Sequence, residues 1–446
     1  MMPVLLHNAL IINEGRSFLG SVMIEGDRIV RVFEGNVPET FLAACKITDA
    51  TGKWLIPGVI DDHVHFRDPG LTHKADLTTE SKAALAGGVT SFMDMPNTIP
   101  QTTNLSAWEE KMELADEKSY ANYAFYLGAT NTNLSELEKA DFSRVCGVKV
   151  FMGSSTGNML VGSEESLEGL FKTIPSIVAV HAESEVLVQA NKTKYLEESG
   201  GNLTLRYHPL IRSAEACYAS SSYAVGLAEK FGTRLHLLHV STAKELTLFE
   251  DKPLALKKIT AEVCISHLWF DEDDYEHYGN AIKCNPAIKT KQDKKALRAA
   301  ISGNLLDVIA TDHAPHLWSE KQGDCLTAAS GSPSIQFALL LMLELANKGV
   351  ISIEKIVEKM CHAPAELYRI EGRGFIRQGY FADIVLIDPT ITWTLSGNLI
   401  LSKCGWSPWN GQHFHACIHK TFLNGKLVYE QNKKHDLKAA RALRFY

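Results

Sequence analysis

Apolar residues in this chain gather into short runs, each closing on a polar or charged side chain, and stretches of helical spacing separate them. The runs are WLIPGVIDDHVH (54–65), GVTSFMDMPN (88–97), NYAFYLGAT (122–130), GVKVFM (147–152), SIVAVHAE (176–183), RLHLLHVS (234–241), ITAEVCISHLWF (259–270) and DVIATDHAP (307–315). They are too continuously apolar for a sheet with one wet face and read as strands buried on both sides. Between them LSAWEEKMELADEKS (105–119), AEACYASSSYAVGLAEKF (214–231) and DKKALRAAIS (293–302) predict helices. Eight strands alternating with helices predict an α/β fold, a (β/α)8 TIM barrel over residues 56–373, with closing helices at 334–349 and 352–368. Active sites of such barrels lie at the C-terminal strand ends, and strand ends carry the polar residues here.

The two ends of the chain follow a different period. LLHNALIINEGR and GSVMIEGDRIVRVFEG near the start, and GFIRQGYFADIVLID and HKTFLNGKLVYE near the finish, are alternating runs broken by Gly and Asp, as hairpins are. Neither segment can build a good core alone. Residues 1–55 and 374–446 are therefore expected to form one small β-domain, with a C-terminal tail, beside the barrel.

Composition narrows the class. At 446 residues, 45% hydrophobic and 22% charged, the chain suits a globular enzyme with one large domain and a smaller one. A net charge of −7 argues against a nucleic-acid or anionic-membrane partner. No run reaches the ~20 apolar residues of a membrane span, and MMPVLLHNAL lacks the basic start of a signal peptide. Nine cysteines scattered without a CxxC fit buried thiols in a reducing cytoplasm. The oligomeric state is left open, a homodimer being one option.

The strand-end residues carry the chemistry. His63 and His65 close the first run and, with Arg67, share one strand face by alternation. Lys149 lies in the fourth run, His181 in the fifth, His239 in the sixth and Asp312 in the eighth. Four imidazoles and a carboxylate at one barrel mouth suit a borderline cation such as Zn2+. They exceed what one catalytic zinc takes and point to two ions sharing a bridge. Lys149 is the odd member, since an ammonium repels cations. Either its stem packs along the barrel with its head paired to an acid, or its amine has reacted with CO2 to give an anionic carbamate that bridges the metals. Asp312 has an alternative as a helix N-cap.

The segments DDHVHFRDPG, GGVTSFMDMPNT, GVKVFMGSS, VHAES, HLLHVST and IATDHAPH resemble the motifs of the cyclic amidases of the amidohydrolase superfamily, and among these the dihydroorotases. The resemblance spans essentially the whole chain. It implies a binuclear zinc centre on His63, His65, a carboxylated Lys149, His181, His239 and Asp312, with Asp312 also the acid and base. It implies a small-molecule substrate, dihydroorotate, whose ring amide is attacked by metal-activated water and whose product is N-carbamoyl-L-aspartate. Arg67, Asn97 and His316 are the expected partners of the substrate carboxylate. Asn285, in KCNPAIK, and the AASGSPS loop (328–334) are expected to meet the ring, although both depart from the usual wording.

Two rivals stand beside this reading. One is a hydantoinase, dihydropyrimidinase or allantoinase, whose substrates lack the carboxylate that Arg67 would clamp. The other is a barrel of this kind that binds without catalysing. His413, His415, Cys417 and His419 alternate in QHFHACIH (412–419). Spread over ~20 Å of strand, they are too far apart to wrap one ion and read as a half-exposed strand.

Overall fold

In the computed structural model, which describes residues 2–153, 159–433 and 436–446, the first apolar run is two strands and not one. Trp54–Pro57 pairs with Ile384–Asp388 and Val4–Asn13, whereas Val59–Val64 pairs in parallel with Val89–Asp94. Gly58 makes the crossing: a Cβ there would lie 2.1 Å from Thr90 Oγ1, so only glycine fits against the neighbouring strand. The chain thus passes from one sheet to another without a loop.

The parallel strands are β1 (Val59–Val64), β2 (Val89–Asp94), β3 (Asn122–Phe125, continued by Leu127–Gly128), β4 (Val148–Phe151), β5 (Ile177–His181), β6 (Arg234–Leu237), β7 (Ile259–Cys264) and β8 (Val308–Ala310). Each pairs with the next. A bridge between Val64 and His313, with His65 N donating to His313 O at 2.7 Å, joins the last strand back to the first. The strands are shorter than the apolar runs because the rest of each run is buried mouth loop or helix. The 259–270 run ends as a strand at Cys264 and continues as the helix Ile265–Trp269, whose Ile265 and Leu268 are buried. Helices cover the outside, among them Leu105–Lys118, capped by the Asn104 side chain, and Ala214–Phe231, capped by Ser213 and ended by left-handed Gly232.

A terminal sheet runs Lys426–Glu430, Cys417–Leu423, Ile384–Asp388, Trp54–Pro57, Val4–Asn13, Arg16–Glu25, Arg28–Glu34. Strand alternation splits its cores: Ile384 and Leu386 join a cluster with Leu6, Ile11 and Val22, while Val385 and Ile387 pack with the barrel. The tail returns to the barrel, where Leu443 N donates to Tyr123 O at 2.9 Å. All nine cysteines are free, and all but Cys404 are buried. Among the described residues, no helix is long and apolar enough to cross a membrane.

QHFHACIH is not a single strand. His413–Phe414 pairs with Trp393–Thr394, the chain turns, and Cys417–Leu423 joins the terminal sheet. His415 Nδ1 lies 2.9 Å from Oε2 of Glu344, an exposed ring paired with a buried carboxyl group away from the barrel mouth.

Candidate active site at the barrel mouth

Nine of the ten residues singled out in the sequence line one cavity: His63, His65, Arg67, Asn97, Lys149, His181, His239, Asn285 and Asp312. Phe151, Ala314, Ser330 and Gly331 complete its wall. His316 does not line it. It stands behind Arg67, with its Nε2 3.1 Å from Arg67 Nη2 and its Nδ1 3.2 Å from Lys74 Nζ. Burial first, then the charges of Arg67 and Lys74, hold this imidazole far below its usual range, so it is neutral. Ser154 and Ser155, the end of GVKVFMGSS, lie outside the described residues.

Alternation at the end of β1 delivers His63 and, one residue past the strand but still bonded through its N to His313 O, His65; it does not deliver Arg67. β1 ends at Val64, and Arg67 lies beyond it with φ 65°. The turn is built by neighbours: Phe66 N donates to Asp94 Oδ1 at 2.8 Å, and Arg67 Nε donates to Pro315 O at 3.1 Å. His239 and Asp312 also lie beyond their strands, at φ 39° and 46°. Left-handed backbone at non-glycine residues costs on the order of 1 kcal/mol each and persists where surrounding bonds impose it. Beside Asp312, Thr311 is held by Asp61 of β1, whose Oδ2 accepts from Thr311 Oγ1 at 2.6 Å.

Asp312 faces both histidines of β1, its Oδ1 lying 3.4 Å from His63 Nε2 and 3.1 Å from His65 Nε2. Burial pushes its carboxyl up, but His63, His65 and Lys149 outweigh that and hold it well below the usual carboxylate range. Opposite, His181 Nδ1 lies 2.8 Å from His239 Nε2. Burial, more than any charge, pushes His63 and His65 down to about 4 and lowers His181 and His239, leaving neutral rings with lone pairs to give. Lys149 Nζ is buried without a hydrogen-bond partner among the described residues, and burial brings it down to about 7. It is not paired to an acid.

Of the partners behind these residues, sequence reading named only Asn97, and that for the substrate carboxylate; Glu262, Glu183 and His236 were missed. Glu262 Oε1 lies 3.0 Å from His63 Nδ1 and accepts from His239 N at 2.9 Å. Asn97 Oδ1 lies 2.7 Å from His65 Nδ1, and Glu183 Oε2 lies 3.0 Å from His181 Nε2. Such partners fix ring orientation and leave the opposite nitrogen as a donor of its lone pair. Deeper in the barrel, His236 Nδ1 lies 2.8 Å from Thr260 Oγ1 and its Nε2 3.1 Å from Asp62 Oδ2. A lone acid or histidine inside an apolar strand was the available signal, because burying one without a partner is costly.

The arrangement offers imidazole nitrogens, an ionised carboxylate and an unsatisfied amine around one point, beside a buried guanidinium. His63, His65 and Asp312 place ligand atoms within 4.8 Å of one another. That donor set fits divalent metal ions, the neutral rings and the carboxylate already being in their ligating forms.

Comparison with known proteins agrees with this geometry. The model of the Amidohydrolase family matches residues 54–428. A dihydroorotase of Methanosarcina mazei is 32% identical over 377 residues, covering 82% of this chain and 81% of its own. One from Thermococcus kodakarensis is 30% identical, covering 96% and 95%. Among solved structures, the L-hydantoinase (dihydropyrimidinase) of Arthrobacter aurescens superposes with a TM-score of 0.93 at 25% identity, over the full length of both chains. A dihydropyrimidinase of Brevibacillus agri follows with a TM-score of 0.88 at 26% identity, covering 100% and 99%. With the family model matching residues 54–428 and the fold superposing over the full length of a solved cyclic amidase, the chain belongs to the amidohydrolase family.

Proposed function

We propose that this enzyme acts as a dihydroorotase, opening the cyclic amide of (S)-dihydroorotate to N-carbamoyl-L-aspartate and closing it again, the closing direction serving pyrimidine biosynthesis. The observation that carries the substrate is Arg67. Its guanidinium is buried, lines the cavity and makes no ion pair among the described residues. A buried cation without an internal anion is costly unless a ligand supplies one, and dihydroorotate brings a carboxylate. Relatives at 30–32% identity that carry the name dihydroorotase support the same reading.

His63, His65, Lys149, His181, His239 and Asp312 would hold two divalent ions, zinc by the softness of the donors. When bound, the ions supply a nucleophile ionised near neutral pH and Lewis acidity at the amide carbonyl. Lys149 supports a bridging role, since its unpartnered amine is partly neutral and can take up CO2 as a carbamate. Asp312, whose carboxyl is held well below the usual range, would accept the proton of the attacking water at a carboxylate oxygen. It would then release that proton to the departing ring nitrogen. Arg67 and Asn97 would hold the substrate carboxylate, Asn285 the ring, and His316 would act through Arg67 by fixing the guanidinium.

The likeness to hydantoinases favours a second reading, an amidase for uncharged rings. Metal analysis of protein purified without chelator, joined to assays on dihydroorotate, dihydrouracil and hydantoin, separates the two. The proposal expects two equivalents of metal and a kcat/KM for dihydroorotate at least about 100-fold above the uncharged rings, as sites built to pair a buried polar group discriminate. Equal or better turnover of the uncharged rings would move the assignment to hydantoinase.

A further inference from the structure

Lys321 is a fully buried lysine that makes no ion pair among the described residues. Its Nζ lies within hydrogen-bond reach of three backbone carbonyls, 3.1 Å from Lys283 O, 2.8 Å from Ala329 O and 2.9 Å from Gly331 O, and burial brings the amine down to about 7. The indole of Trp406 lies on another side, 5.8 Å from Nζ to the ring centroid. Those carbonyls belong to two separate loops. One runs through Lys283 to Asn285, and the other through Ala329 to Gly331. Asn285, Ser330 and Gly331 form part of the cavity wall.

The loops also bond to one another directly. Gly331 N donates to Lys283 O at 2.8 Å, Lys283 Nζ reaches Ala328 O, and Ser332 Oγ donates to Ala281 O at 2.6 Å. Gly331 adopts φ 128°, and a Cβ there would lie 2.6 Å from Ala314 O, so the backbone itself approaches the cavity. Without Lys321, the buried carbonyls of Ala329 and Gly331 would lose its N–H donors, Lys283 O would keep only Gly331 N, and the junction between the loops would loosen. A cation bound at Ala329 O also polarises the peptide group that ends in Ser330 N–H.

We propose that Lys321 is a positioning residue that pins the two ring-contacting loops together and so sets how tightly the substrate ring is held. It touches neither the metal-ligating residues nor the proposed substrate position. The assignment rests on the proposed function for the identity of the ring, but the pinning itself does not.

The test uses the full-length, metal-loaded protein and three forms: wild type, Lys321→Met and Lys257→Met. Lys257 pairs with Asp307 at 2.8 Å at the opposite end of the barrel and controls for the general cost of losing a buried lysine. In Lys321→Met, amide hydrogen exchange across 283–285 and 329–332 should quicken by about tenfold or more in the absence of substrate. KM for dihydroorotate should rise about 10- to 100-fold with kcat and metal content little changed. Lys257→Met should change neither. Unchanged exchange in the two loops, or an equal rise of KM in both variants, would overturn the proposal. Absence of dihydroorotate turnover in the wild type would remove the functional reading, while the exchange measurement would still decide the role of Lys321.

Discussion

Glu262 Oε1 stands 3.0 Å from His63 Nδ1 and, by the same oxygen, receives the backbone N–H of His239 at 2.9 Å. One carboxylate at the end of β7 thus aims the ring of one proposed metal ligand and holds the strained backbone of another. Because both depend on it, Glu262→Ala should weaken metal binding by about 10- to 100-fold, the usual cost of losing a group that orients a ligating histidine. Metal retained after dialysis against graded chelator measures this directly. Full retention in a folded variant would show that the packing around His63 and His239 suffices without the carboxylate.

Lys149 sits fully buried with an amine that meets no acceptor among the described residues. If a carbamate on that amine joins two cations, Lys149→Ala leaves them repelling one another across an empty position. The variant should lose most of its metal and nearly all activity, and a short carboxylic acid such as propionate should restore part of both. An alanine variant with wild-type metal content and rate would show that no bridge is formed there.

Stability depends on a pair beneath the Arg67 turn. Lys111 Nζ and Asp94 Oδ2 lie 2.5 Å apart, both buried, and Asp94 Oδ1 holds Phe66 N. Lys111→Met keeps the aliphatic stem and strands the carboxylate. The expected cost is about 3–5 kcal/mol, as for other buried pairs broken from one side. Equilibrium denaturation in urea reads it. A loss below about 1 kcal/mol would mean that backbone donors alone satisfy Asp94.

How much of this was legible in the sequence follows from what each pattern reports. Continuous apolar runs report burial, so they gave the number and order of the barrel strands but overran their ends, and the helix at Ile265–Trp269 was absorbed into a strand. The polar residues closing those runs pointed to one mouth because parallel strands share a direction. Arg67 was placed there by strand alternation, yet it arrives through a left-handed turn set by Asp94 and Pro315, contacts made over distances that no local period encodes. Glu262 and His236 stayed hidden because a buried strand has two covered faces. Period 2 cannot tell which of them looks into the barrel. His316 was grouped with the substrate-facing residues by the resemblance of DHAPH to the family's motif, but its ring turns toward Arg67 and Lys74.

Arg67 carries the substrate assignment and gives its sharpest test. The guanidinium is oriented by two contacts, Nε to Pro315 O and Nη2 to His316, and neither supplies a negative charge. A substrate carboxylate would therefore meet a pre-oriented, desolvated cation through charge-assisted hydrogen bonds. Arg67→Met removes the charge and leaves the metal-ligating residues untouched, so metal content and the folded state should persist. Unpairing a carboxylate in such a site costs about 2–5 kcal/mol. That lowers kcat/KM for dihydroorotate by roughly 30- to several-thousand-fold. Dihydrouracil has no carboxylate, so any slow turnover of it should change by less than about threefold, within the spread of substitutions that break no specific contact. Measuring both substrates on both proteins separates recognition from structure. Equal losses on the two rings would make Arg67 a structural residue and take the carboxylate argument, and dihydroorotate with it, away from this site.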